Sequence, residues 1–148
     1  MKLVIGTAQF GMKYGLKKKK IKDNEFKKIK SFLIKSKINK IDTAQSYGNS
    51  EKVLGDHYFK NFKFISKINI PKIKNNDIFN WLSNEVDISL KKLQTKTLYG
   101  LLIHDYKDLK GKKGISYINA LKKLKKSGLV KKIGISIYNS NELNSVVK

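Results

Sequence analysis

At 148 residues, with one proline and no linker-like tract, the chain is long enough for one compact domain and gives no sign of two. It has no cysteine and only two histidines, His57 and His104, which excludes disulfides, thiolate metal sites and a histidine-rich cluster, so no metal is expected. The net charge of +22 comes entirely from lysine, without one arginine to form bidentate or stacking contacts, which argues against specific nucleic-acid recognition.

Short apolar runs alternate with segments of helical period, the pattern of successive βα units around a parallel sheet. The first strand is predicted over residues 3–5 and its helix from Asp23, as cap, to Lys35, with Phe26, Ile29, Phe32 and Leu33 on one face. A second strand over 38–42 leads to a helix over 50–58 that Ser50 could cap. A third strand over 62–67 is followed by a loop at Pro71 and a long helix opened by Asn76 or Asp77 and ending near Leu93. Its buried face uses Phe79, Leu82, Val86 and Leu90 or Leu93. The fourth strand, over 98–103, is nearly all apolar, as a strand covered on both faces must be, and His104 ends it. After a lysine-rich loop comes a helix over 115–126 with Ile118, Leu121 and Leu124 inward and Gly128 as its C-cap. A fifth strand over 132–137 precedes a last helix begun by Asn139 or Ser140. The expected fold class is α/β, about five parallel strands alternating with helices, as a partial (β/α)8 barrel would have.

In such a barrel the reactive groups stand at the carboxyl ends of the strands and in the loops that follow. The unusual polar residues fall there: Thr7 and Gln9 after the first strand, Asp42 at the end of the second, Lys67 of the third, His104 of the fourth and Ser136 of the fifth. Each alone has an ordinary structural reading: Asp42 as a turn residue, Tyr47 as a half-buried aromatic, Lys67 as one surface lysine among many, His104 as a core histidine. Gathered at one rim, a phenol, an ammonium, a carboxylate and an imidazole could deliver a proton to a developing oxyanion. A free phenol holds its proton too tightly to give it up well near neutrality; an adjacent ammonium stabilises the phenolate, and a carboxylate offsets the ammonium. His57 has no such company and is read as surface.

The segments IGTAQFGMKYG, IDTAQSYGNSEKVLG, ISK, SLKKLQTKTLYGLLIHD and GLVKKIGIS, in that order, resemble the successive signatures of the aldo-keto reductases over most of the chain. The IDTAQSYGNSE block is the specific one. The resemblance implies a catalytic tetrad of Asp42, Tyr47, Lys67 and His104, with Tyr47 as general acid and His104 pointing an N–H at the substrate oxygen. It implies cofactor contacts at Gly6, Thr7, Ser136 and Asn139, although Ile137 follows Ser136 where the family commonly has Ser-Asn. Glu51 resembles the acidic residue of the family's SE pair, where capping by Ser50 is the simpler account. The activity implied is NADP(H)- or NAD(H)-dependent reduction of a small aldehyde or ketone.

A whole barrel of this type has eight strands and usually about 250 residues. Residues 1–148 are therefore expected to form a single incomplete barrel domain, truncated at its C-terminus and lacking the family's main phosphate-binding loops, so that the isolated chain is weak or inactive. Its open edges invite self-association. No apolar run reaches the roughly 18 residues of a membrane span, and the start has no secretory pattern, so a cytoplasmic protein with no membrane partner is expected. Two alternatives stand beside the enzyme: a lysine-rich module for nucleic acid or an anionic surface, and a non-catalytic half-barrel that assembles with another chain.

Overall fold

The computed structural model describes residues 3–16, 21–57, 59, 61–71 and 77–147, without the side chains of Asp23, Lys112 and residues 145–147. The Lys17 to Lys20 block, Tyr58 and Asn76 lie outside these.

Five strands form one parallel sheet in chain order: β1 (Ile5–Gly6), β2 (Lys40–Asp42), β3 (Lys63–Ile68), β4 (Gly100–Ile103) and β5 (Ile133–Ile135). Helix α1 (Ala8–Gly11) and α2 (Asp23–Lys35) separate the first two strands, α3 (Ser50–Asp56) the next pair and α4 (Ile78–Leu93) the third. A 3-10 turn (Tyr106–Leu109) and α5 (Lys112–Lys126) join β4 to β5, and α6 (Ser140–Val147) follows. This is the expected α/β architecture of a partial barrel. The apolar core holds Ile41, Phe64, Ile68, Leu101 and Ile103 of the sheet together with Phe26, Leu33, Leu54, Leu82, Val86, Leu93, Leu121 and Leu124 of the helices. Alternation along β3 sends Phe64, Ser66 and Ile68 to one face and Lys63, Ile65 and Lys67 to the other.

Several expectations shift. The strands are shorter or displaced: β1 is Ile5–Gly6 and not 3–5, because Leu3 and Val4 have no ladder partner and stay exposed. Likewise β2 starts at Lys40, β3 runs to Ile68, β5 stops at Ile135, and Leu98 makes only an isolated bridge to Val130. Phe32 is 62% exposed and leaves the buried face of α2, since six residues from Phe26 is a rotation of about 120° away at 3.6 residues per turn. Lys22, not Asp23, stands at the N-cap of α2, where its amide donates to the Glu25 carboxylate at 2.8 Å. Asn49, not Ser50, holds that position on α3.

Asp77 does cap α4, accepting from the Asn80 amide at 3.0 Å. Helix α5 starts three residues early, at Lys112, after Gly111 turns the chain at φ +81°. It ends at Lys126, with Ser127 and not Gly128 at the C-cap, and Gly128, the next residue, takes φ +82°. Helix α1 and the 3-10 turn, too short to show a period, are additions to the expected set.

Candidate active site

All five strands run the same way, so their carboxyl ends form one rim. The β2 to β3 register sets Asp42 beside Ile65, and that of β3 and β4 sets Lys67 beside Leu102. The ladder continues one residue past the next strands: the His104 amide donates to the Ile68 carbonyl and the Ser136 amide to that of Ile103, both at 2.9 Å. The rim thus carries Gly6, Asp42, Lys67, His104 and Ser136 on consecutive strands.

Lys67 is the centre of the group. Its ammonium donates to Asp42 Oδ2 at 2.6 Å, to the Thr43 carbonyl at 3.1 Å and to the Tyr47 hydroxyl at 3.4 Å. It also lies 5.0 Å from the centroid of the Tyr47 ring. The Tyr47 and His104 rings meet edge to face at 5.9 Å. Phenol, ammonium, carboxylate and imidazole therefore share one rim, as the sequence reading required. His57 is elsewhere, its ring 4.5 Å from that of Phe26.

Burial first, then the Lys67 charge, push the His104 imidazole below its ordinary value of 6.5; Asp42 and Asp105 pull the other way. The ring is accordingly neutral at neutral pH. Ser46 Oγ stands 3.1 Å from its Nδ1, and a hydroxyl donating there leaves the proton on Nε2. Because the folded value lies below the unfolded one, the unfolded chain binds the proton first, and this histidine weakens stability as pH falls through about 6.5. An NMR titration of His104 is expected to show a midpoint under 6.5 that rises in Lys67→Met. A wild-type midpoint at or above 6.5 would contradict this account.

The loop that carries Tyr47 is fixed from beneath by hydroxyls. Ser50 Oγ donates to the Thr7 carbonyl at 2.9 Å, lies 3.0 Å from Thr7 Oγ1 and is 3.2 Å from Thr43 Oγ1. Thr7 Oγ1 in turn donates to the Asp42 carbonyl at 2.9 Å. Thr7, Thr43 and Ser50 are fully buried, so this network ties the ends of β1 and β2 to the start of α3. Glu51, 2% exposed, accepts from Ser66 Oγ at 2.6 Å and ties α3 to β3 next to Lys67. Its other oxygen has no hydrogen-bond partner among the described residues.

Glycines allow the same closeness. A Cβ at Gly11 would overlap the Tyr47 carbonyl oxygen and the Ser50 amide nitrogen, and one at Gly48, where φ is +60°, would meet the Gly11 carbonyl oxygen at 2.6 Å. Gly11→Ala is expected to push the loop outward and destabilise the fold by about 1–3 kcal/mol, read by urea denaturation. A midpoint equal to wild type would show that the loop yields freely.

Two expected cofactor contacts have their side chains engaged in the fold. Thr7 turns its hydroxyl into the buried network. Asn139 caps α6, its Oδ1 accepting from the Glu142 amide at 3.1 Å and its Nδ2 donating to Glu142 Oε1 at 3.1 Å. Gly6 is exposed, with open space where a Cβ would stand, and borders a cavity of about 230 Å³ lined also by Gln9, Tyr14, Asp42 and Tyr47. A flat ring could approach the backbone there. A wider cleft of about 520 Å³ beside Leu33, Ile34 and Phe62 is lined by no acid, histidine or tyrosine, so volume does not mark the chemistry.

Thr43, Ser46, Ser66 and Gly11 were not among the expected site residues, and Ser50, expected as a helix cap, instead joins Thr7 and Thr43. The available signal was the density of small and hydroxylic residues in TAQSYGNSE, too many for a surface helix start.

Residues 2–148 match the Aldo/keto reductase family. Among solved structures, an aldo-keto reductase from Pseudomonas aeruginosa is 26% identical, with a TM-score of 0.78 over 99% of this chain and 59% of its own. An aldo/keto reductase from Brucella melitensis is 25% identical, with a TM-score of 0.64 over 99% of this chain and 53% of its own. One from Klebsiella pneumoniae, in complex with NADP and acetate, shares the fold at 19% identity and a TM-score of 0.69, over 98% of this chain and 49% of its own. The chain thus spans between about half and three fifths of these relatives. No curated protein sequence is a significant match.

Proposed function

The chain belongs to the aldo/keto reductase family, and from that premise we propose that residues 1–148 form a partial barrel domain whose rim reduces a small aldehyde or ketone, with Tyr47 as the proton donor. The observation that carries the reading is the Lys67 ammonium held between Asp42 Oδ2 at 2.6 Å and the Tyr47 hydroxyl at 3.4 Å. A reduced nicotinamide, NADPH or NADH, supplies the hydride when bound; Gly6 and Ser136 are the residues best disposed to border it.

Hydride addition to the carbonyl carbon moves the π pair onto oxygen. Tyr47 gives that oxygen its proton, and the phenolate left behind faces the Lys67 ammonium, whose field stabilises it. Asp42 offsets the ammonium, which would otherwise be costly at a site 7% exposed. Neutral His104, with its proton on Nε2, donates to the same oxygen and keeps it between two donors.

Hydride transfer depends on grips far from the reacting carbon. The resemblance implies that the phosphate grips belong to the part of the longer relatives that this chain does not span. The isolated chain is therefore expected to reduce a test aldehyde slowly and to bind NADPH weakly. Two measurements test this: NADPH oxidation with 4-nitrobenzaldehyde at stoichiometric protein, and NADPH fluorescence titration. Aldehyde-dependent oxidation that proceeds as fast in Tyr47→Phe as in the wild type would refute the catalytic reading. Submicromolar NADPH affinity would refute the account of weak binding.

A further inference from the structure

We propose that the opposite, amino-terminal end of the sheet carries an oxyanion site, in which Lys40, Lys63 and Lys132 converge on Tyr99 to take up a small phosphate dianion. The topology creates it. Lys40 and Lys63 open β2 and β3 and are direct register partners, Tyr99 immediately precedes β4, and Lys132 immediately precedes β5. The Tyr99 amide donates to the Phe64 carbonyl at 2.8 Å, and the Lys132 carbonyl accepts from Leu101 at 2.9 Å. Four consecutive strands thus deliver one phenol and three ammoniums to one place.

The lysine nitrogens lie 5.5 Å, 5.7 Å and 5.3 Å from the Tyr99 ring centroid, for Lys40, Lys63 and Lys132 in turn. The ring's negative face accounts for part of this gathering, but three cations sharing one ring repel one another. Among the described residues, no carboxylate forms an ion pair with any of the three. The phenol registers the positive field: a hydrogen bond from Lys132 and the charges of Lys132, Lys40 and Lys63 lower it below its ordinary value of 10.0, against the opposing effect of burial. A dianion with several acceptor oxygens relieves the repulsion by accepting from the ammoniums and from the Tyr99 hydroxyl together.

The site is separate from the carboxyl-end rim. Lys63 and Lys67 lie on one strand, four residues or about 13 Å apart, so either site can fail without the other.

The test is a titration of the 148-residue chain with inorganic phosphate, at ionic strength held constant with chloride. The readout is the NMR signal of Tyr99 with 13C at its Cζ, assigned through Tyr99→Phe. A saturable shift is expected, weakened at least about tenfold in Lys63→Ala/Lys132→Ala. Lys91→Ala/Lys126→Ala removes the same charge from exposed helix positions and is expected to change affinity less than about twofold. Acetate, with one charge, is expected to bind far more weakly. Equal loss in both double variants, or acetate binding as well as phosphate, would reduce the site to diffuse attraction by a basic surface and overturn the proposal. So would the absence of a saturable shift in the wild-type chain, which needs no variant to fold.

Discussion

Replacing Asp42 with alanine is expected to destabilise the fold by roughly 3 kcal/mol, and adding Lys67→Met is expected to restore most of the loss. The Lys67 side chain is 7% exposed and its ion pair with Asp42 is 2.6 Å long. Without the carboxylate, the ammonium keeps only the Thr43 carbonyl at 3.1 Å and the neutral Tyr47 oxygen at 3.4 Å. The estimate sits at the lower end of the range for a broken buried pair because the Asp42 side chain is 30% exposed, so water reaches the vacated space. Lys67→Met alone leaves a carboxylate that water can still solvate, and its cost is expected to stay near 1 kcal/mol or less. The backbone frame is common to all three variants, since Asp42 accepts from Thr7 through its carbonyl and not its carboxylate. Urea unfolding followed by circular dichroism measures the whole cycle. Asp42→Ala within about 0.5 kcal/mol of wild type would mean that solvent, and not Asp42, balances the ammonium.

The parts of this structure legible in the sequence are those set by local period. Helices α2 and α4 follow from apolar residues at helical spacing, and the side chain of Asp77 caps α4 as its type suggests. Strand ends were less legible because a ladder is defined by neighbours: Leu3 and Val4 are as apolar as any strand residue, yet the edge gives them nothing to pair with. The nearness of Asp42, Lys67 and His104 was legible because strand order places them on neighbouring strand ends. Lys67 is one of many chemically identical lysines, and only its position at the end of the third strand distinguishes it. The support beneath the tetrad was not legible. Ser50 meets Thr7 across 43 residues of sequence and Glu51 meets Ser66 across 15, and no local pattern shows that a hydroxyl at a helix start faces another strand and not its own helix. The same distance from local cues hides the bond from the Thr7 hydroxyl to the Asp42 carbonyl, 35 residues away.

Tyr47→Phe separates the chemistry of the rim from its architecture. The substitution removes one oxygen and leaves the ring, so the edge-to-face contact with His104 at 5.9 Å and the position of the Lys67 ammonium 5.0 Å from the ring centroid are both retained. The lost Tyr47 to Lys67 hydrogen bond is the longest of the three that the ammonium makes, at 3.4 Å, and the remaining two hold Lys67 in place. Stability is therefore expected to change by under about 1 kcal/mol. The reduction rate is expected to fall by roughly 10²–10⁴, the usual worth of a positioned proton donor, because neutral His104 can donate a hydrogen bond to the developing oxyanion but would have to become an imidazolate to give up its proton. Single-turnover NADPH oxidation at saturating aldehyde reads the chemical step, and NADPH fluorescence reads binding, which is expected to be unchanged. A variant that keeps more than about a tenth of the wild-type rate would show that another group protonates the oxygen, and the role assigned to Tyr47 would pass to that group.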